Sequence, residues 1–329
     1  MKAFVYHKYG GPEVLELGEV QKPTPKDNEV LIKTYATTVS SADWRIRSLD
    51  LPAGFGLFGR LFFGVFGPRQ PILGTELSGE IESIGKDVTK FKIGDQVFAD
   101  CGTKLGAHAE YKAMPEDGAV ALKPASLSFE EAAAICFGGT TALHFLKKLG
   151  EIQSGEKVLI NGASGTTGSA FVQLAKYFGA HVTGICSTAN LDLVKSIGAD
   201  GVIDYTNDDF TQNGETYDII VDTAGTAPWS RSKDSLTKTG RLLLVLGGLS
   251  DMLRAPFVSE KQGKKLISGT ASANAEDLRF LADLAEKGHF KPVIDKVYPF
   301  VKMAEAHAHV DTGHKKGSIV VTVWQRGAA

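Results

Sequence analysis

Seven consecutive residues, Gly162-Ala163-Ser164-Gly165-Thr166-Thr167-Gly168, have the types and spacing to do chemistry. Small residues leave their backbone N–H groups open, and a turn of them can wrap an anion. The flanks decide whether it does. Lys157 to Asn161 is an apolar run of strand length, an apolar helical pattern follows through Leu174 and Phe178, and His181 to Cys186 is again strand-like. In such a unit one glycine lets the chain turn tightly, one lets backbone approach a pyrophosphate, and one lets the helix lie close on the strand. The amides and the positive end of the helix then hold the phosphates of a dinucleotide. Ala163 stands where the strict GxGxxG pattern has its first glycine, and Gly162 supplies flexibility one step earlier. The competing reading is a glycine-rich turn in some other parallel sheet.

The residues after the second strand select the dinucleotide. An acidic side chain about 20 residues beyond the first glycine position binds the ribose 2′-hydroxyl of NAD and repels a 2′-phosphate. That neighbourhood reads Cys186-Ser187-Thr188-Ala189-Asn190, with no carboxylate before Asp192. The donors of Ser187, Thr188 and Asn190 suit a phosphate, so NADPH is expected over NADH. No arginine stands there and Lys195 reads as a solvated helix residue, so the preference rests on the missing carboxylate.

The rest of the chain must position this loop. Its 329 residues, 43% hydrophobic and 22% charged, suffice for two domains with real cores and have a soluble globular composition. A net charge of −2 argues against a nucleic-acid surface, which needs clustered Lys and Arg. Cys101, Cys136 and Cys186 are widely spaced and spell neither a disulfide framework nor a zinc ribbon. No run reaches the roughly 18 apolar residues of a membrane span. The opening MKAFVYHKYGG holds no cleavable apolar segment, and a cytoplasmic protein is expected.

Residues 1–122 consist of short alternating runs broken by Gly and Pro, among them Lys2 to Tyr6, Glu29 to Ala36, Ser78 to Ile84, Asp95 to Ala99 and Ala109 to Ala113. That is the pattern of an antiparallel barrel or sandwich. Over residues 123–291 strands and helices alternate. Pro124 to Leu149 reads helical in two pieces, with Ser128 and Glu131 in a capping-box pattern. Tyr217 to Thr223, Arg241 to Leu246 and Lys265 to Gly269 are buried-strand candidates, giving an α/β domain with a doubly wound parallel sheet of about six strands. Residues 292–329 bring a strand, a helix around Met303 to Val310 and a last strand, Ser318 to Trp324. This tail is expected to return to the first domain, since a strand left alone exposes an unpaired edge.

The opening MKAFVYHKYGGPEVLEL, the segment GTELSGEIESIGKDVTKFKIGDQV (Gly74 to Val97), GGTTAL (Gly138 to Leu143), and GHFKPVIDKVYPF with GHKKGSIVVTV together resemble the medium-chain dehydrogenase/reductase superfamily. Within it the chain is similar to the zinc-free quinone oxidoreductase and enone reductase branch, and the match covers nearly the whole chain. The resemblance implies a GroES-like β-barrel domain built from both chain ends and a Rossmann cofactor-binding domain between. It implies Thr141 near the nicotinamide, Leu246, Gly247, Gly269 and Thr270 about its amide and ribose, Gly225 beneath the cofactor and Tyr205 beside the adenosine. Ser40 and Asp43 are implied to face the substrate, though Asp43 reads equally as a turn-capping residue. It also implies a homodimer through the outer strand of the Rossmann sheet, Lys265 to Gly269.

Where zinc alcohol dehydrogenases of the superfamily carry a cysteine and a histidine, this chain has Ser40 and Thr75, and hydroxyls are poor substitutes for thiolate and imidazole. Cys136 lies near the third ligand position, one residue where three are needed, and the four-cysteine structural lobe is missing. No metal is expected. Zinc-free relatives often read Val-Asn-Pro where this chain has Val39-Ser40-Ser41. Without a Lewis acid, a hydride can still be aligned against an electron-poor carbon. Conjugated enones and quinones spread the resulting charge onto oxygen, so positioning and a few donors suffice. A hydrophobic enone or quinone is therefore the expected substrate, reduced by hydride from NADPH. The alternatives are an NADP-dependent alcohol or aldehyde oxidoreductase, and a dinucleotide-binding protein with little catalysis.

Phe55 to Phe66, FGLFGRLFFGVF, sets five phenylalanines among glycines. It reads as a mobile apolar lid, as a surface helix packing its aromatics on the barrel, or as a membrane-surface segment. His307, His309 and His314 read as ordinary surface or core histidines, because positions two apart on a helix do not face each other.

Overall fold

The chain is described by a computed structural model over residues 1–324, the side chains of residues 259–262 excepted. It divides into two compact units. One comprises Met1–Leu51, Gly56–Phe137 and the chain from Ala273, the other Pro52–Phe55 and Gly138–Ser272.

The first unit is organised on one long strand, Glu29–Val39, which pairs antiparallel with Glu76–Ile84, Tyr111–Pro115 and Ser318–Thr322. Ile294–Pro299 flanks the last of these, and Gln96–Asp100 and Val120–Leu122 extend the sheet on the other side. Alternate residues point to one face of a strand. Val30, Ile32, Leu77, Ile81, Val97 and Ala99 accordingly bury together in one core. The last strand pairs Ile319 with Val39.

The expected changes of grammar at 122 and 291 do not coincide with the limits of the compact units. Helix Phe129–Ala134 packs Phe129, Ala133 and Ala134 on Ala36 and Val320 of the barrel sheet. Its capping box is formed, with Ser128 Oγ accepting from Glu131 N–H and Glu131 accepting from Ser128 N–H. Helix Ala275–Glu286 also belongs to the first unit, its Glu286 carboxylate accepting from Ala125 N–H. An amphipathic helix shows that it has a buried face, and not which sheet covers it.

The second unit is a wholly parallel sheet in the order Gly201–Asp204, His181–Cys186, Lys157–Asn161, Tyr217–Asp222, Leu236–Leu244, Lys265–Ser268. The order runs outward from Lys157–Asn161 in both directions, the doubly wound arrangement, and reverses between Lys157–Asn161 and Tyr217–Asp222. Its central strands are apolar throughout because helices cover both faces. Val158, Leu159 and Ile160 have no exposed surface, and neither do Ile219, Ile220 and Val221.

Helix Gly56–Phe63 carries the phenylalanine-rich segment. Phe63 packs against the barrel core, whereas Phe58, Phe62 and Phe66 are exposed, so packing on the barrel accounts for one aromatic of the stripe. His307 is fully buried, His309 half-buried and His314 exposed.

A buried guanidinium ties the chain's end to its beginning. Arg47 has no exposed surface. It donates to Gly10 C=O at 3.1 Å, to His307 Nδ1 at 2.8 Å and to the Asp311 carboxylate at 2.6 Å. The His307 ring meets that of His108 edge to face at 5.3 Å, and His108 Nε2 pairs with Thr38 C=O. Burial, then the neighbouring His108 and Arg47, hold His307 well below the usual imidazole range, and burial also lowers His108. The folded state therefore keeps both rings neutral at a pH where the unfolded chain binds protons. The unfolded chain takes up these protons as pH falls through 6.5, so the stability that neutral rings confer is present above that value and lost below it. The melting temperature is expected to fall between about pH 6.5 and 5, and His307→Gln should flatten that decline. An equal slope in the variant would show that other groups cause it.

Candidate active site

The six parallel strands end in line. Asp204 lies beside Cys186, Ile185 beside Asn161, Asn161 beside Asp222, Asp222 beside Leu244, and Leu244 beside Ser268. Every segment leaving this edge therefore starts from one side of the sheet. Those segments hold Gly162–Gly168, Ser187–Asn190, Tyr205, Thr223–Gly225, Leu246–Gly247 and Gly269–Thr270. The residues singled out in the sequence for the cofactor are thus brought together within the second unit. In open parallel sheets ligands bind outside this edge, at the point where strand order reverses.

The glycine loop fits its expected parts. Gly162 has φ +84, and a Cβ there would lie 2.6 Å from Thr223 Oγ1, so it makes the tight turn that the pattern assigns to the first glycine. Ala163 is fully buried, and room for its methyl comes from Gly184, where a Cβ would lie 2.9 Å from it. At Gly168 a Cβ would sit 2.0 Å from Gly162 C=O, so helix Thr166–Tyr177 approaches the loop backbone to backbone. Gly165 is the N-cap residue of this helix and supplies no side-chain cap, and the space over it is open, the nearest atom to a Cβ being 3.6 Å away. A helix start of this kind presents backbone N–H groups to an anion, with the positive end of the helix dipole behind them. Ser164, Thr166 and Thr167 are half-buried along the same turn.

Beside the loop, Asn190 Nδ2 donates to Ser164 Oγ at 3.1 Å and to Ser187 Oγ at 3.2 Å. Each serine thereby receives a hydrogen bond on its acceptor side, which leaves its own O–H to donate elsewhere. The Oδ1 of Asn190 is buried without a partner among the described residues. Thr188 differs, since its hydroxyl donates to Asp204 at 2.5 Å. The Asp204 carboxylate also accepts from Thr206 N–H and O–H and from Asn207, and these bonds, Thr188's foremost, lower its pKa. Tyr205 is exposed.

Two residues missed in the sequence fix the reversal point. The Asp222 carboxylate, 2% exposed, accepts from the N–H groups of Ala224, Gly225 and Ala227 at 2.9–3.1 Å and from Asn161 Nδ2 at 2.9 Å. This curls the chain after strand Tyr217–Asp222 and holds Gly225, φ +75, in the open. The signal was a polar residue closing each of two apolar runs. Thr141 is buried on helix Cys136–Leu143, and Gly138 at the start of that helix lies so close to Thr166 that a Cβ would be 2.7 Å from its carbonyl. Gly247 packs against Ser268, whose Oγ is buried without a partner among the described residues, while Leu246 and Gly269 are half-buried and Thr270 exposed.

In the first unit, Ser40 caps helix Ser41–Ser48 in a reciprocal box with Asp43. Asp43 is fully buried, and its carboxylate accepts from Ser40 N–H at 2.8 Å, Ser40 O–H at 2.6 Å and Gly74 N–H at 3.0 Å. It acts as the capping residue that the sequence allowed. Ser40 Oγ lies 3.3 Å from Thr75 Oγ1. Because the Ser40 hydrogen goes to Asp43, Thr75 O–H is the donor of this pair and Ser40 Oγ the acceptor. Glu76 is buried behind it, accepting from Thr38 O–H and Phe137 N–H, and burial pushes its carboxyl up to about 8. Burial also raises Asp100, to about 6.

This set does not suit a catalytic zinc. Ser40 and Thr75 offer hydroxyls where such a site takes thiolate and imidazole, and burial raises the Cys136 thiol well above its ordinary value. Among the described residues no group of three or more His, Cys, Asp or Glu side chains is arranged to hold a metal ion.

Comparison with known proteins bears on the whole chain. Residues 26–124 match the alcohol dehydrogenase GroES-like domain family, and residues 197–321 the zinc-binding dehydrogenase family. The chain is 32% identical to the chloroplast envelope quinone oxidoreductase homolog of Arabidopsis thaliana, over 98% of each chain. The chain belongs to the medium-chain dehydrogenase/reductase superfamily. Within the superfamily it falls in the quinone oxidoreductase and enone reductase branch. It is 34% identical to the 2-methylene-furan-3-one reductase of Solanum lycopersicum over 98% of this chain and 79% of that one. The solved quinone oxidoreductase of Coxiella burnetii superposes with a TM-score of 0.87 at 28% identity, over 98% of this chain and 99% of that one. The superfamily accounts for the two units, an oxidoreductase activity and a dinucleotide cofactor.

Two substitutions separate the loop's ligand role from its packing role. Gly165→Val adds a side chain into open space and is expected to weaken dinucleotide binding about tenfold or more with little change in melting temperature. Gly168→Val drives a side chain into Gly162 and is expected to cost about 2 kcal/mol or more of stability. Unchanged nucleotide affinity in Gly165→Val would move the phosphate site elsewhere.

Proposed function

We propose that this chain is an NADPH-dependent reductase of quinones or α,β-unsaturated carbonyls that works without a metal. The nicotinamide, when bound, supplies the hydride. The amides of Ser164, Thr167 and Gly168 hold the diphosphate, and Thr141, Leu246, Gly247, Gly269 and Thr270 hold the nicotinamide amide and ribose. The observation that carries the choice of NADPH is the Ser164–Asn190–Ser187 cluster. With Asn190 on their acceptor sides, the two hydroxyls turn their hydrogens outward, where phosphate oxygens can take them. No carboxylate stands before Asp192 to favour the ribose hydroxyl instead.

The choice of substrate follows from the donors in the first unit. Thr75, whose O–H donates to Ser40 in the free protein, turns that hydrogen to the substrate and gives one neutral hydrogen bond to the oxygen on which charge collects. One such bond is worth about 1 kcal/mol net in folding and more in a dry site. That suffices for an enone or quinone, which spreads its charge, and falls short for a simple ketone. Asp43 is occupied by its own bonds, so solvent supplies the proton. A homodimer through the outermost strand of the parallel sheet, Lys265–Ser268, and a cytoplasmic setting complete this reading.

NADPH consumption against a panel of enones, quinones and aldehydes, with metal analysis of the same sample, tests the proposal. Turnover of enones or quinones without stoichiometric zinc is expected. Tight NADPH binding with no turnover, or alcohol oxidation with zinc, overturns it. Ser187→Asp should raise KM for NADPH about tenfold or more and leave NADH little changed. Thr75→Val should lower kcat/KM about 10- to 100-fold at constant NADPH affinity. An unaffected rate would remove Thr75 from the reaction.

A further inference from the structure

Helix Gly56–Phe63 is held to the first unit by one side only. Gly59 is buried so closely on Leu51 that a Cβ would meet it at 2.0 Å, Phe63 packs against the barrel core, and Tyr9 O–H donates to Gly64 C=O at 2.8 Å. The other side presents Leu57, Phe58, Leu61 and Phe62, at spacings that form one stripe. Leu57 is 70% exposed, Phe62 58%, and Phe66 just beyond the helix 102%. Contiguous apolar surface of this kind marks an interaction site. Its charges all have one sign: no acidic residue occurs from Leu51 to Thr75, while Arg60 and Arg69 are exposed and both act electrostatically on the Tyr9 phenol beneath.

We propose that this face docks on an anionic membrane surface, the apolar stripe entering the headgroup boundary and Arg60 and Arg69 pairing with lipid phosphate and carboxylate groups. A protein partner's apolar patch would be served by leucines and phenylalanines alone. Two exposed cations in a stretch that holds no acidic residue between Asp50 and Glu76 are what an anionic bilayer selects. No helix among the described residues is long and apolar enough to cross a membrane, so the contact is peripheral. The inference rests on this surface and stands apart from the reading of the reaction.

Co-sedimentation of the full chain with phosphatidylcholine vesicles, alone and with about one-third phosphatidylserine, tests it. Binding is expected to be about tenfold stronger on the anionic vesicles, that preference being lost in Arg60→Glu/Arg69→Glu. Phe62→Glu/Phe66→Glu, with an unchanged melting temperature, should bind neither vesicle. A wild-type chain that binds neither overturns the proposal, as do variants that bind like wild type. A wild-type dimer split by the phenylalanine variant, with no vesicle binding, would instead assign the face to a second copy of the chain.

Discussion

Backbone contact between Gly168 and Gly162 is the constraint on which the second unit's chemistry depends. A helix can lie this close to the loop before it only where Gly168 has no Cβ, while the missing Cβ of Gly162 makes room for Thr223 on the neighbouring segment. Ala163 shows how the constraint is met when the usual glycine is absent. Its methyl is buried because Gly184 on the next strand gives way, so two positions share the task of one. Asp222 then completes the edge by folding the following loop about its own carboxylate, which keeps that loop's backbone polar groups paired at the reversal point.

In the first unit a carboxylate does comparable work. Asp43 joins the start of helix Ser41–Ser48 to the Gly74–Thr75 turn through three hydrogen bonds, and these set the Ser40–Thr75 hydroxyl pair. The same positions that lack zinc ligands are therefore tied to one another by hydrogen bonds. Glu76 behind them, raised by burial, adds little charge to the region at neutral pH.

The parallel sheet and the glycine turn were legible because buried strands and a helical period leave strong local marks, and because the loop's glycines are set by sterics within a few residues. Most strand ends were placed within two or three residues; Arg241 to Leu246 is an exception, since the strand begins five residues earlier, at Leu236, and its pairing with Tyr217–Asp222 shifts register on the way. What stayed hidden depends on contacts distant in the chain. Arg47 with His307, Asn161 with Asp222, and Ser40 with Thr75 are polar pairs that carry no periodicity. The helices Phe129–Ala134 and Ala275–Glu286 went to the wrong side of the boundary for the same reason: amphipathicity names a face and leaves its partner unstated. The phenylalanine stripe was visible as a composition, while its outward direction follows from Gly59 and Phe63 on the opposite side.

Strand Glu29–Val39 receives its last neighbour, Ser318–Thr322, from nearly the far end of the chain. During synthesis the barrel sheet therefore waits unfinished while the whole parallel sheet emerges and can fold. At ~5–20 residues per second the delay is of order half a minute. Through that interval Ala36–Val39, the part of the strand that Ser318–Thr322 pairs, is an open edge for foreign strands, while Tyr111–Pro115 already covers Glu29–Lys33 beside it.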